Sequence, residues 1–435
     1  MTLKEHFRKN VVLAYPVVIG QLGHIMVSVA DTVMVGQVGV IPLAAATFAG
    51  TFYHILMMFG IGVSYAVTPL VASTDSKHQN RLMFLLQNGL VLNALLALVL
   101  VAIGLIASQY LMYFGQETEV AIAAKPYLVV VSFSLFPLMV FQTFRQFAEG
   151  LSDTFNPMVV SIVSNLLNVA LNYVLIYGAL GFPEMGLLGA AYATLISRVV
   201  MSLMMVLIIR TKLTGFAWSF DTQQAWRMVK IGVPSGMQYV FEVGAFATAA
   251  IMVGWISAEA LAAHQIALNL AAITYMSATG IAAASTIRIG NQLGLKDAKN
   301  LRLAGYTSFT TVAIFMTFTA LTFIVLRYEL TALYVKDAYV QSLAAGLLIV
   351  AAAFQVSDGL QAVGLGVLRG LTDVKVPTLI TFIAFWILAI PGGYLLGFTF
   401  DLGVYGVWYA LSGGLTVAAI LHIIRFQSLL KRLRF

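Results

Sequence analysis

Of the 17 acidic residues in the chain, most fall in polar stretches or at their edges, but Asp31, Glu242 and Asp358 stand inside long apolar runs. A carboxylate at the centre of a bilayer costs about 2.5–3.5 kcal/mol on insertion scales, so such residues are rarely idle. Glu242 follows Lys230 by 12 residues, and Asp358 precedes Arg369 by 11. At about 1.5 Å per helical residue each lies roughly 17–18 Å in, near the middle of a hydrocarbon core about 30 Å thick. Two carboxylates at one depth can share a proton or a monovalent cation, because either relieves their mutual repulsion. Asp31, 22 residues beyond Lys9, belongs to the outer part of the membrane.

Each acid sits on a polar stripe with helical spacing. Ser235, Gln238 and Glu242, with Tyr239 beside them, share one face. Gln355, Asp358 and Gln361 form a second stripe, and Gln21, His24, Ser28 and Asp31 a third. Ser161, Asn165, Asn168 and Asn172 form a fourth that lacks an acid. Such faces can line a path for polar cargo. They can also serve only to hydrogen-bond neighbouring helices, a competing explanation for Ser161, Asn165 and Gln355 in particular. His24, His54 and His264 are read as packing residues. Arg198, within an apolar run, either neutralises a carboxylate or snorkels to the interface. The 18 Met, 28 Phe and 18 Tyr suit flat cationic ligands and lipid-facing surfaces equally, so they decide nothing.

The elements that must carry these stripes follow from composition. Apolar residues make up 60% of the chain and charged residues 9%, far below the roughly 25% charged of soluble domains. Runs long enough to span a bilayer fall at 11–36, 43–72, 82–108, 121–148, 156–180, 186–210, 226–254, 259–290, 302–326, 338–368, 376–398 and 403–425. An all-α integral membrane fold of twelve spans is expected. Lys and Arg concentrate at the amino terminus (Lys4, Arg8, Lys9), after even-numbered spans (Lys77, Arg81, Arg145, Arg210, Lys230, Arg288, Lys299, Arg369) and in the tail (Lys431, Arg432). Lys125, Arg327 and Lys336 lie on the opposite side. The positive-inside rule then places both termini in the cytoplasm and accounts for the net charge of +7 without nucleic acid. Ser28-Val29-Ala30 resembles a signal-peptide cleavage site, but the first span has a repeat partner in span seven.

That repeat organises the whole chain. Gly150-Leu-Ser-Asp-Thr-Phe-Asn-Pro157 returns as Gly370-Leu-Thr-Asp-Val-Lys-Val-Pro377, about 220 residues on. Pro16 pairs with Pro234, Met34-Val35-Gly36 with Met252-Val253-Gly254, and the stretch from Gly186 with that from Gly403. An even number of spans per half makes the halves parallel repeats. The expected organisation is a lobe at 1–210, a cytoplasmic linker at 211–225 and a second lobe at 226–435. The acids break the symmetry: Asp31 aligns with Ala249, Glu242 with His24 and Asp358 with Leu138.

Missing signatures narrow the chemistry. There is no Gly-x-x-x-x-Gly-Lys-Ser/Thr loop, no His-Glu-x-x-His, and no cysteine. Gly364, Gly366 and Gly370 have the wrong spacing for a dinucleotide fingerprint. An enzyme is not expected, no cofactor is implied, and active transport would have to draw on an ion gradient.

These residues together resemble the MATE (multidrug and toxic compound extrusion) family, in its NorM type. The resemblance rests on Tyr15-Pro16 through Asp31-Thr-Val-Met-Val-Gly36, on the paired Gly-Leu-x-Asp-x-x-x-Pro segments, and on Leu166-Leu-Asn-Val-Ala-Leu-Asn-Tyr173. It implies a V-shaped, monomeric transporter of the bacterial cytoplasmic membrane that exports organic cations in exchange for Na⁺ or H⁺. It implies a cation site at Glu242 and Asp358, and a first-lobe cluster of Asp31, Asn168 and Asn172 for proton or substrate coupling, with Asp31 counted among the cation-coupling residues. Gln265, Tyr275 and Asp337 align with cavity positions of some relatives, joining Gln238, Tyr239 and Gln355. One relatives' Tyr is Phe354 here, which removes a hydroxyl ligand. A lipid-linked precursor flippase of similar architecture is the alternative; it calls for a basic cavity, which the acids argue against.

Overall fold

The computed structural model describes residues 2–75, 77–210 and 219–432. Twelve helices in it are long and apolar enough to cross a membrane. They are α1 (Leu3–Gly36), α2 (Val40–Ala72), α3 (Gln79–Phe114), α4 (Thr118–Gly150), α5 (Phe155–Tyr177) and α6 (Gly186–Arg210) in the first repeat. The second repeat holds α7 (Thr222–Gly254), α8 (Ala258–Gly294), α9 (Ala298–Val325), α10 (Ala338–Gly370), α11 (Lys375–Thr399) and α12 (Gly403–Arg432). No strand occurs among the described residues. Several helices outrun the apolar stretches that announce them: α1 starts at Leu3 rather than residue 11, its first turns carrying Lys4, Arg8 and Lys9. Much of the expected linker at 211–225 lies outside the described residues. Its last part is anchored to α3, where Ser219 N–H donates to Gln87 (3.0 Å) and Asp221 N–H to Asn88 (3.0 Å).

The repeat is written into the backbone as well as the residue types. After α4, Ser152 takes φ 65°, with Ser152 N–H bonded to the Glu149 carbonyl and Asp153 N–H to Ala148. After α10, Thr372 takes φ 59°, with the same two bonds to Arg369 and Leu368. These are Schellman turns, in which the left-handed residue lets the last carbonyls of the helix find donors.

The chain divides into two compact units, and the division does not follow the linker. One unit runs up to Val18 and resumes at Met237; the other is Ile19–Gly236. The boundaries thus fall inside α1 and α7, each two residues beyond the helix's proline, Pro16 or Pro234. The α1 arm joins the C-terminal unit through Ala14, buried among Ala278, Ile281, Phe309 and Phe426. A buried polar knot fixes it further. Arg288 donates to the His6 carbonyl (2.6 Å) and to Asn10 Oδ1 (2.8 Å), and His6 Nε2 pairs with Asn300 Oδ1 (2.9 Å). Since an arginine only donates, His6 Nδ1 accepts from Arg288 and the ring proton stays on Nε2. The α7 arm is seated in the N-terminal unit by glycines: a Cβ on Gly62 would lie 2.5 Å from Gly236 Cα. Gly280 plays the equivalent part for the α1 arm, its Cβ position 2.5 Å from a Val18 methyl.

Candidate functional site

In the C-terminal unit, α7 and α10 bring Glu242 and Asp358 to within electrostatic reach of each other, both buried. Tyr275 of α8 faces the Glu242 carboxyl and lies near Asp358 and Tyr239. Gln361 also faces Glu242, yet both polar atoms of its amide are buried without a hydrogen bond of ordinary geometry among the described residues. None of the described groups acting on either carboxyl is cationic. Two acids, a phenol and an orphaned amide therefore converge in a place that water does not freely reach. Buried polar atoms left unpaired are costly. Oxygen donors of this number suit a proton or one hard monovalent cation. Among the described residues no group of three or more His, Cys, Asp or Glu could hold a metal ion.

The neighbouring stripe residues do other work. Gln355 exchanges hydrogen bonds with Thr274 of α8 (2.9 and 3.1 Å), so its amide is consumed by helix packing. Gln238 donates to Thr378 (3.0 Å) and the Val374 carbonyl (3.4 Å), tying α7 to the start of α11. Phe354 packs on Trp408, whose indole donates to His264 Nδ1 (3.0 Å), so His264 is a core residue. Trp386 donates to the Phe241 carbonyl (3.0 Å), bracing α7 one residue before Glu242. It does so from a π-wound stretch, Ile383–Ala389, of α11.

Two expected cavity residues are not brought to the acid pair. Asp337 lies about 30 Å along the α10 axis from Asp358, and its Oδ1 caps that helix by accepting from Val340 N–H (2.9 Å). Gln265 is exposed, about 15 Å along α8 from Tyr275.

The N-terminal unit holds the second cluster. Asp31, half-buried on α1, accepts a short hydrogen bond from Asn172 of α5. Asn172 also donates to Asn168 (3.3 Å), which donates to Ser197 of α6 (3.4 Å). The stripe expected on α5 thus becomes a relay running from Asp31 to α6. Arg198, next to Ser197, acts on Asp31 without closing an ion pair. Its guanidinium donates to Ser134 of α4 (2.9 Å) and sits 5.2 Å over the Tyr53 ring of α2. Tyr127 also lies near Asp31. Sequence spacing exposed Arg198 as an oddity but gave no sign of Tyr53, Tyr127 or Ser134, which reach the cluster from α2 and α4.

The MatE family model matches residues 16–174 and 234–395. Multidrug resistance protein NorM of Photobacterium profundum is 33% identical over 436 residues, covering 98% of this chain and 96% of that one. Multidrug resistance protein MdtK of Yersinia pseudotuberculosis is 34% identical over 440 residues, covering 98% and 96%. A solved structure described as the outward-facing conformation of a multidrug resistance MATE family transporter matches with a TM-score of 0.89. It is 20% identical and the match covers 99% of this chain and 97% of that one, which establishes the shared fold. The chain belongs to the MatE family. It is a multi-pass membrane transporter, not an enzyme. Nothing in these relatives favours the flippase alternative, and it is set aside.

Proposed function

We propose that the protein is a multidrug efflux antiporter of the bacterial cytoplasmic membrane, exporting organic, mostly cationic compounds in exchange for Na⁺ or H⁺. In this reading it works as a monomer by alternating access, with both termini in the cytoplasm and its repeats forming two functional lobes. The observation that carries it is the buried Glu242–Asp358 pair with Tyr275 and the Gln361 amide around it. In a medium of low dielectric, two such acids without a cationic neighbour call for a proton or a Na⁺. Glu242 and Asp358 hold that coupling cation, Tyr275 and Gln361 orient Glu242, and Tyr239 offers an aromatic face beside the pair. Asp31, steadied by Asn172 and Asn168, carries the countercharge for a substrate amine. Binding at the pair can drive export only by as much as the cation's affinity differs between the two access states.

The test uses purified protein in vesicles loaded with a cationic dye. Glu242→Gln and Asp358→Asn should each abolish gradient-driven efflux while the protein still inserts; normal efflux in both overturns the assignment. Imposing sodium and pH gradients separately on the wild type then names the coupling ion.

A further inference from the structure

Phe241 and Gly244 flank Glu242 on α7, and both are held by α11. The Trp386 indole N–H donates to the Phe241 carbonyl (3.0 Å), and the Phe241 ring packs on Phe382, one turn earlier on α11, at 5.0 Å between centroids. Gly244 makes room for the indole: a Cβ there would lie 3.0 Å from Trp386 Cζ2. The Phe241 carbonyl and the Glu242 N–H belong to one planar peptide unit, so the indole grips the plane from which Glu242 hangs. Inside an α-helix that carbonyl already accepts from the N–H four residues on, and its second lone pair is the one left to give. Trp386 stands at the centre of the π-wound stretch Ile383–Ala389. Such turns are rare and are met mostly at functional sites. This one is backed by α12, where a Cβ on Gly414 would lie 2.7 Å from the Ala384 carbonyl oxygen.

We infer that Trp386 is a positioning residue for the coupling cation: by fixing the Phe241–Glu242 peptide it sets where the Glu242 carboxyl stands, and hence how tightly the acid pair holds its ion. Binding constellations work only when their groups are held within about 0.5 Å of the productive geometry. An indole N–H away from water needs some acceptor. That need alone does not select the peptide bond of a membrane-embedded acid, nor does it call for a glycine opposite the ring. The inference rests on the coupling-site reading above and adds to it a residue from α11, a helix that supplies none of the site's named oxygen donors.

The experiment follows efflux of a cationic dye from vesicles holding the full-length protein. Sodium is titrated at fixed pH, and pH is titrated without sodium; the half-activating concentration is read for whichever ion drives the wild type. Trp386→Phe keeps a ring and removes the N–H. It should raise that concentration about three- to tenfold, the worth of one hydrogen bond, while the rate at saturating ion is retained. Gly244→Ala presses on the indole from α7 and should shift half-activation in the same direction; it decides the matter if Trp386→Phe fails to insert. A reduced maximal rate with half-activation unmoved makes the contact merely structural and overturns the inference, as does an unchanged titration. Glu242→Gln separates the two levels. If it leaves the ion dependence intact, the coupling reading itself fails; if it abolishes efflux while half-activation stays unmoved in Trp386→Phe, only the role of Trp386 fails.

Discussion

Glu242 and Gln355 stand on polar stripes of the same helical spacing, and packing gives them opposite tasks. Gln355 has both ends of its amide within hydrogen-bond distance of the Thr274 hydroxyl, whereas Glu242 faces the Gln361 amide, whose polar atoms form no hydrogen bond of ordinary geometry among the described residues. The spacing of polar residues along one helix shows which face is polar; only the facing helix decides whether that face is open or filled. Thr274→Val keeps shape and removes the hydroxyl, leaving the buried Gln355 amide unpaired. It should lower stability by about 1–3 kcal/mol, read as a lower thermal midpoint in detergent. A melting curve identical to wild type would mean that the pair contributes nothing. Asp337 teaches a related lesson, since an Asp before a helix is first of all a cap. Arg198 is the converse: a residue without a sequence-level explanation that acquires partners from α1, α2 and α4.

At the scale of elements, the apolar runs located all twelve membrane helices, because burial in lipid demands length and leaves little room for charge. Their ends were less legible, since amphipathic extensions such as residues 3–10 of α1 carry charge and remain helical. The π-wound stretches of α11, Ile383–Ala389 and Leu395–Thr399, had no local signal. At Leu395–Thr399, α11 meets α12 so closely that a Cβ on Gly406 would lie 2.5 Å from the Leu396 backbone, and at Ile383–Ala389 a Cβ on Gly414 would lie 2.7 Å from the Ala384 carbonyl oxygen. The turns after α4 and α10 were visible as a repeated motif, but not their strain. Thr372 is β-branched and holds φ 59°, a conformation that costs an L-residue roughly 1–2 kcal/mol. Thr372→Gly should therefore stabilise the protein by about 1 kcal/mol, seen as a higher thermal midpoint. A drop would show that the threonine side chain makes a contact worth more than the strain.

At the scale of the molecule, the duplication was legible in the sequence, with lobes expected at 1–210 and 226–435 joined by a linker at 211–225. The compact units are instead divided within α1 and α7. Residue patterns could not reveal this, because a continuous apolar helix looks the same whichever neighbours its two ends choose. The repeat nevertheless holds in the seats of the arms: Gly62 receives the α7 arm and Gly280 the α1 arm, at equivalent positions. At Gly62 a side chain would strike backbone, and at Gly280 it would strike both a methyl and the backbone nitrogen of Val18. Gly62→Val and Gly280→Val should each cost about 1–3 kcal/mol through overpacking, measured as reduced midpoints of similar size. Unchanged midpoints in both would remove the arms from the account of stability.

The place where the units divide also bears on how such a chain could have come into being. A solitary six-helix ancestor of either repeat would have carried an amino-terminal arm that packs away from its own remaining helices. It could complete itself only by trading that arm with a second copy, so the fused chain corresponds to a domain-swapped dimer made covalent. A chain severed within 211–218 would leave each fragment holding the other's arm, and neither would be a whole unit by itself.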